Sequence, residues 1–121
     1  VRIESVQNAT DQAKSLAAWV AGGDPVPYEA VPWFWSDQGP LKLQIAGLGL
    51  GIDRTVVRGT PEAGAFSVFG FRDGRLVAVE SVSKPADHMI GRRLLDAGAA
   101  LSPEEAADPD FDLKARAAAA R

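Results

Sequence analysis

The run AFSVFGFRDGRLVAVESV (65–82) constrains this chain more than any other stretch. Two segments rich in β-branched and aromatic residues, AFSVFGF (65–71) and RLVAVESV (75–82), are joined through Asp73-Gly74. Asp-Gly between two such segments specifies a hairpin, because both turn positions tolerate positive φ. Arg72 and Arg75 flank the turn and keep it in water. LKLQIA (41–46) alternates apolar and polar residues, the period of a half-buried strand, and RTVVRG (54–59) adds another short strand.

Helical patterns lie on both sides of these strands. In QNATDQAKSLAAWVA (7–21), Ala9, Ala13, Leu16, Ala17 and Val20 recur at helical spacing and predict an apolar face, with Gly22-Gly23 as the stop. Three prolines in the connector GDPVPYEAVP forbid regular structure there. Pro85 opens a second helix, where a missing N–H costs nothing. Ala86, Ile90, Leu94 and Ala97 are its predicted buried face and Gly98 its end. Ser102 and Glu105 form a capping box around Pro103. The Ala-rich tail DLKARAAAAR has few large apolar residues and is expected to fray. Strands followed by helices predict an α+β fold, an antiparallel sheet meander of four or so strands flanked by helices.

At 121 residues the chain suggests one domain. A net charge of −3 argues against a nucleic-acid partner, since such modules are basic. No apolar stretch approaches the ~18 residues of a membrane span, and no signal peptide is visible. The absence of cysteine excludes a disulfide framework, a cysteine-ligated metal and thiol catalysis, and fits a cytoplasmic location. The opening VRIES has no Met and no turn signal before a strand-like run, which reads as the middle of something longer.

Few residues offer chemistry. GLGLG (47–51) is followed by strand-like IDRTVV, whereas a dinucleotide fingerprint needs a helix there, so it reads as a plain strand connection. His88 is the only histidine; with no second metal ligand on its helical face it reads as a surface histidine. Glu104, Glu105, Asp108, Asp110 and Asp112 sit mostly at helix starts, where the dipole favours negative charge, and form no calcium loop. No metal site and no catalytic residue is predicted. The remaining feature is VPWFWSDQ (31–38), with two of the chain's three tryptophans. Trp33, Phe34 and Trp35 are core anchors on one reading. On the other, an extended segment turns Trp33 and Trp35 to one side and Phe34 to the other, so that one side grips a flat ligand or partner.

ESVQNATDQA, VPWFWSDQ, LQIAG, GIDRTVVRG, FSVFGFRDGRLVAVESVSKPAD and RRLL, in that order, resemble the C-terminal part of FAD-dependent NAD(P)H:ferredoxin reductases. These flavoproteins feed [2Fe–2S] ferredoxins that serve cytochrome P450s and ring-hydroxylating dioxygenases. The likeness runs from about Arg2 to Leu95 and is weaker after Leu101. It implies that residues 1–23 end an FAD-binding domain, 24–31 link, and 32–121 form the reductase C-terminal domain. It also implies that Val6 and Gln7, at the start of the first helix, offer backbone N–H groups and a positive dipole end to the pyrimidine edge of FAD. Trp33 and Trp35 become a wall over the isoalloxazine. Lys14, Arg92 and Arg93, with Trp35, become the docking patch for an acidic ferredoxin; the plainer reading makes the three cations ordinary solvated helix charges. Both nucleotide fingerprints are absent, so the choice of NADH or NADPH lies elsewhere and this piece alone is inactive. Val6 stands where some relatives have an aromatic, and Gly39-Pro40 where a longer polar turn is expected. A separate reading is a self-standing dimerisation or interaction module without enzymatic activity.

Overall fold

The computed structural model describes residues 1–120. A helix α1 (Val6–Val20) precedes a five-stranded sheet of β1 (Trp33–Gln38), β2 (Leu41–Gly47), β3 (Arg54–Thr60), β4 (Ala65–Arg72) and β5 (Arg75–Val82). Helices α2 (Pro85–Asp96), α3 (Pro103–Ala107) and α4 (Leu113–Ala119) follow. The sheet is antiparallel throughout and the fold is α+β, as expected. VPWFWSDQ adds a fifth strand: β1 is an edge strand hairpinned to β2, with Trp33 opposite Ala46 and Trp35 opposite Gln44.

The strand order is β1-β2-β5-β4-β3, so two sequential pieces meet where β2 pairs with β5. The GLGLG connection makes this possible by running past the ends of β5 and β4 to the far edge. Along that path the Leu48 N–H donates to Val77 O and the Asp53 N–H to Phe71 O. Gly47 begins the crossing at φ +82°, and a Cβ there would lie 2.1 Å from Val77 O. Only glycine fits so close to another backbone at that φ.

One sheet face is covered. Phe69, Phe71 and Val79 from the strands meet Leu94, Ala106, Leu113 and Ala117 from the helices and Leu101 from the connection before α3 in one buried cluster. Gly91 lets α2 lie low on the sheet, for a Cβ there would sit 2.9 Å from Val79 Cβ. The buried side of α2 is consequently His88, Gly91 and Leu94. Ala86 and Ala97, expected on that side, are exposed, because the glycine and not the alanines marks the line of closest approach.

Two further expectations are corrected. The tail does not fray: Asp112 caps α4 by accepting from the Ala115 N–H, and Leu113 and Ala117 are buried. Arg58 holds the connection into it, donating to the carbonyls of Ala106, Asp108, Pro109 and Phe111. The apolar side of α1 is not buried: Leu16, Trp19 and Val20 are exposed, and α1 meets the sheet only through its polar side. The uncovered sheet face is apolar as well, with Phe34, Leu41 and Val57 exposed on it. Leu113→Ala should lower the free energy of unfolding by about 2–4 kcal/mol, as for a buried leucine. Urea unfolding checks this, since a frayed tail would leave the midpoint unchanged.

Candidate functional site

The edge strand β1 builds a ledge. Its alternation puts Trp33 and Trp35 on the helix-covered face of the sheet and Phe34 on the open one. The two indoles lie against each other, ring centroids 5.6 Å apart and planes 30° from parallel. Trp33 is half-buried, while Trp35 is 40% exposed at the rim. The ledge therefore passes from the interior to the surface as one contiguous aromatic body.

Three elements hold Trp33. Gln7 of α1 is a clamp: its Oε1 accepts from the Trp33 backbone N–H at 3.2 Å. Its Nε2 donates to Asp11 Oδ2 at 2.8 Å and to the Tyr28 hydroxyl at 3.0 Å. From α2, the Arg92 guanidinium carbon stands 4.3 Å from the Trp33 ring centroid, within cation–π range. His88, one helical turn before Arg92, places its ring 6.0 Å from the same indole at 60°. His88 is buried, not a surface residue, because the low seat of α2 at Gly91 presses this side of the helix onto the sheet. Burial first, and the Arg92 charge second, push its pKa below the ordinary 6.5.

Beside the ledge is a recess of about 320 Å³ that includes Gln7, Asp11, Trp33, Arg92, Arg93 and Asp96 in its lining. Its two cations and two carboxylates balance. Of the residues singled out in the sequence, Gln7, Trp33, Arg92 and Arg93 come together here, with Trp35 against Trp33. Lys14 continues the helical stripe of Gln7 and Asp11 but is exposed and lies outside the recess. Val6 is exposed in the first turn of α1. There the Ser5 hydroxyl caps the Asn8 N–H and the Ser5 carbonyl takes the Ala9 N–H. A second recess of about 280 Å³ opens on the other side of β1, lined in part by Ser5, Pro32, Trp33, Phe34 and Gly47. Sequence reasoning missed the Gln7 side chain as a clamp and His88 as a buried support. Neither leaves a signal in one sequence, since each depends on contacts between distant segments. Among the described residues no cluster of histidine and carboxylate side chains suits a metal, and no helix is long and apolar enough to cross a membrane.

Comparison with known proteins places this architecture. The family model described as "Reductase C-terminal" matches residues 33–117. Rhodocoxin reductase of Rhodococcus erythropolis is 56% identical over 114 residues, 94% of this chain and 26% of the relative. The crystal structure of the ferredoxin reductase for the CYP199A2 system of Rhodopseudomonas palustris superposes with a TM-score of 0.92 at 51% identity, covering 97% of this chain and 29% of that one. The covalent putidaredoxin reductase–putidaredoxin complex superposes with a TM-score of 0.90 at 40% identity, covering 99% and 28%. The chain thus spans little more than a quarter of the length of these relatives.

The linkage at His88 has a definite sign. Its folded pKa is depressed, so below about pH 6.5 the unfolded chain binds more protons than the folded one. Stability is full above that pH and declines as pH falls towards the folded pKa. Arg92→Ala should move the His88 pKa upward while leaving it below 6.5, because burial is the larger cause. An imidazole titration by NMR reads this directly; an unmoved pKa would contradict the assigned contribution of Arg92.

Proposed function

The chain belongs to the reductase C-terminal family, and from that premise we propose that it is the domain through which an FAD-dependent NAD(P)H:ferredoxin reductase meets its [2Fe–2S] ferredoxin. The electrons would go on to a P450 or a dioxygenase, in the cytoplasm. The observation that carries this reading is the Trp33–Trp35 ledge, continuous from the interior to an exposed rim, with the Arg92 cation on its inner indole. An exposed Trp35 stacked on an inner indole, with Arg92 on that inner indole and Arg93 in the recess beside it, suits a small, wet, transient interface with an acidic protein. In this reading residues 1–23 end the FAD-binding domain and 24–31 link it to the C-terminal domain. The start of the family match at residue 33 supports that boundary.

The residues present fit one edge of a flavin. Ahead of the first intrahelical bonds of α1, the N–H groups of Val6 and Gln7 are free to donate, and the helix dipole favours negative charge there. The recess beside them is walled by Pro32, Trp33 and Phe34, with the Glu4 and Glu80 carboxylates also in its lining, so any negative charge there is met by the helix N–H groups and not by the recess walls. A phosphate cradle is not offered, since GLGLG leads into a strand and not a helix. Bound, FAD would supply the two-electron to one-electron exchange that links a nicotinamide to an iron–sulfur protein. The part of this chain is to orient that edge through Val6 and Gln7, exclude water with the indoles, and receive the partner at Trp35, Arg92 and Arg93. The exposed apolar side of α1 and the uncovered sheet face are surfaces that the remaining domains of such an enzyme would cover.

Trp35→Ala in the full-length enzyme should slow electron delivery to ferredoxin severalfold more than electron uptake from NAD(P)H. Stopped-flow measurement of both half-reactions tests it, and equal slowing would count against a partner-side role. A second reading, a self-standing dimerisation module, draws on the same exposed apolar surfaces. Native mass spectrometry of the protein from its source separates the two. A species several times heavier than 12.8 kDa with one FAD supports the reductase, and a flavin-free dimer of this chain supports the module.

A further inference from the structure

The covered sheet face carries two cross-strand rows in register. One is apolar, running from Trp33 through Ala46, Val79 and Phe69. The next is polar after its first member, running from Trp35 through Gln44, Ser81 and Ser67. His88 comes down from α2 beside Trp33, at the head of the apolar row. It is 1% exposed, and among the described residues neither of its ring nitrogens has a hydrogen-bond partner. An imidazole held this way contributes ring contact and a titratable nitrogen, but no hydrogen bond.

We propose that His88 is the positioning residue of the tryptophan ledge: its neutral ring sets the tilt of Trp33, and through it Trp35, and its protonation releases them. The consequence for ferredoxin rests on the function proposed above; the positioning itself does not. Gln7 fixes only the backbone of Trp33. Arg92 touches the indole through a long side chain that is itself only half-buried, with several free torsions. His88 is the enclosed ring against the indole, and two rings at 6.0 Å and 60° have the tilted geometry that aromatic pairs prefer.

The surroundings make the protonated form unwelcome there. On α2, Arg92 repels an imidazolium, while the Asp87 carboxylate is turned to the sheet, with Oδ2 accepting from the Ser67 hydroxyl at 3.0 Å. On β1 and β2, the charged residues of this face are Asp37 and Lys42, which pair with each other at 3.6 Å. Facing groups from β5 and β4 are the hydroxyls of Ser81 and Ser67, which hydrogen-bond to each other at 2.9 Å. On α1, Asp11 accepts from Gln7. Asp87, Asp37 and Asp11 are thus each engaged. Asp96 lies two turns further along α2, in the recess with Arg92 and Arg93, and Lys84 at the start of α2 adds a further positive charge. The buried Gln44 Oε1 of β2 makes no hydrogen bond to the ring. A proton on His88 is therefore accommodated by moving the ring towards water, and the contact with Trp33 is lost in the process.

Circular dichroism of the two coupled indoles tests this, because that band reads their mutual orientation. In the intact protein it should fade in a single protonation step below pH 6.5 while the amide signal stays constant. His88→Phe, which keeps a ring and removes the proton, should hold the band across the same range. His88→Ala should weaken it at every pH. The proposal is overturned by a wild-type band indifferent to pH, by an acid transition that persists in His88→Phe, or by indole and amide signals lost together. If His88→Ala does not fold, the His88→Phe titration decides. In the full-length reductase the same acidification should raise KM for ferredoxin severalfold in wild type but not in His88→Phe, with kcat little changed. An unmoved KM with the expected dichroism would uphold the positioning and count against the docking reading.

Discussion

The height of α2 above the sheet governs what this chain can present. Gly91 sets it, since any side chain there would collide with Val79. At that height His88 and Arg92, one turn apart on α2, both reach the indole of Trp33. A residue with a Cβ at 91 would lift the helix by a few tenths of an ångström or force Val79 from its rotamer. Either shift would be felt first at the ledge, because the opposite end of α2 is buttressed by Leu94 against the buried cluster. A structural requirement of the core and the geometry of the candidate site thus share one residue.

The parts of this architecture legible in the sequence were those encoded locally. Asp73-Gly74 specified the central hairpin, and it forms in the register expected of a two-residue turn, Arg72 opposite Arg75. Ser102 and Glu105 make both bonds of the capping box. What local signals could not carry was pairing between distant segments. Pairing with β2 turns VPWFWSDQ from a loop into an edge strand, and nothing within those eight residues states which strand awaits them. The Ala-rich tail looked too weak to fold because its own apolar content is small, yet Leu113 and Ala117 need only fill space left beside Leu94 and Leu101. His88 looked like surface for the same reason: its spacing has no apolar partner three or four residues away except through Gly91, and a glycine gives no hydrophobic signal.

The distribution of apolar surface separates two kinds of boundary. Around the buried cluster the covered face of the sheet is closed by the chain's own helices, and it opens to solvent at the Trp35 rim. The outer side of α1 and the open sheet face leave apolar side chains in solvent, and these are the surfaces the proposed function assigns to neighbouring domains. The ledge lies between them: β1 contributes Phe34 to the open side and the two tryptophans to the closed side. Under the proposed function, a strand in that position would meet both a flavin held by neighbouring domains and a soluble partner, which an interior strand could not.

Electrostatics then favours contact over attraction at a distance. The chain carries a net charge of −3, and the recess beside the ledge is balanced by Asp11 and Asp96 against Arg92 and Arg93. At physiological salt, exposed charges are screened beyond about 8 Å. The far field of this chain therefore adds little to the encounter with an acidic protein, and any broad steering would come from elsewhere in a larger assembly. Close in, Arg92 is partly used by Trp33, so its charge is presented together with an aromatic face and not as a free cation. In the proposed docking, a site built this way would select by fit within the last few ångströms, and for that the tilt of two indoles would matter more than the number of positive charges around them.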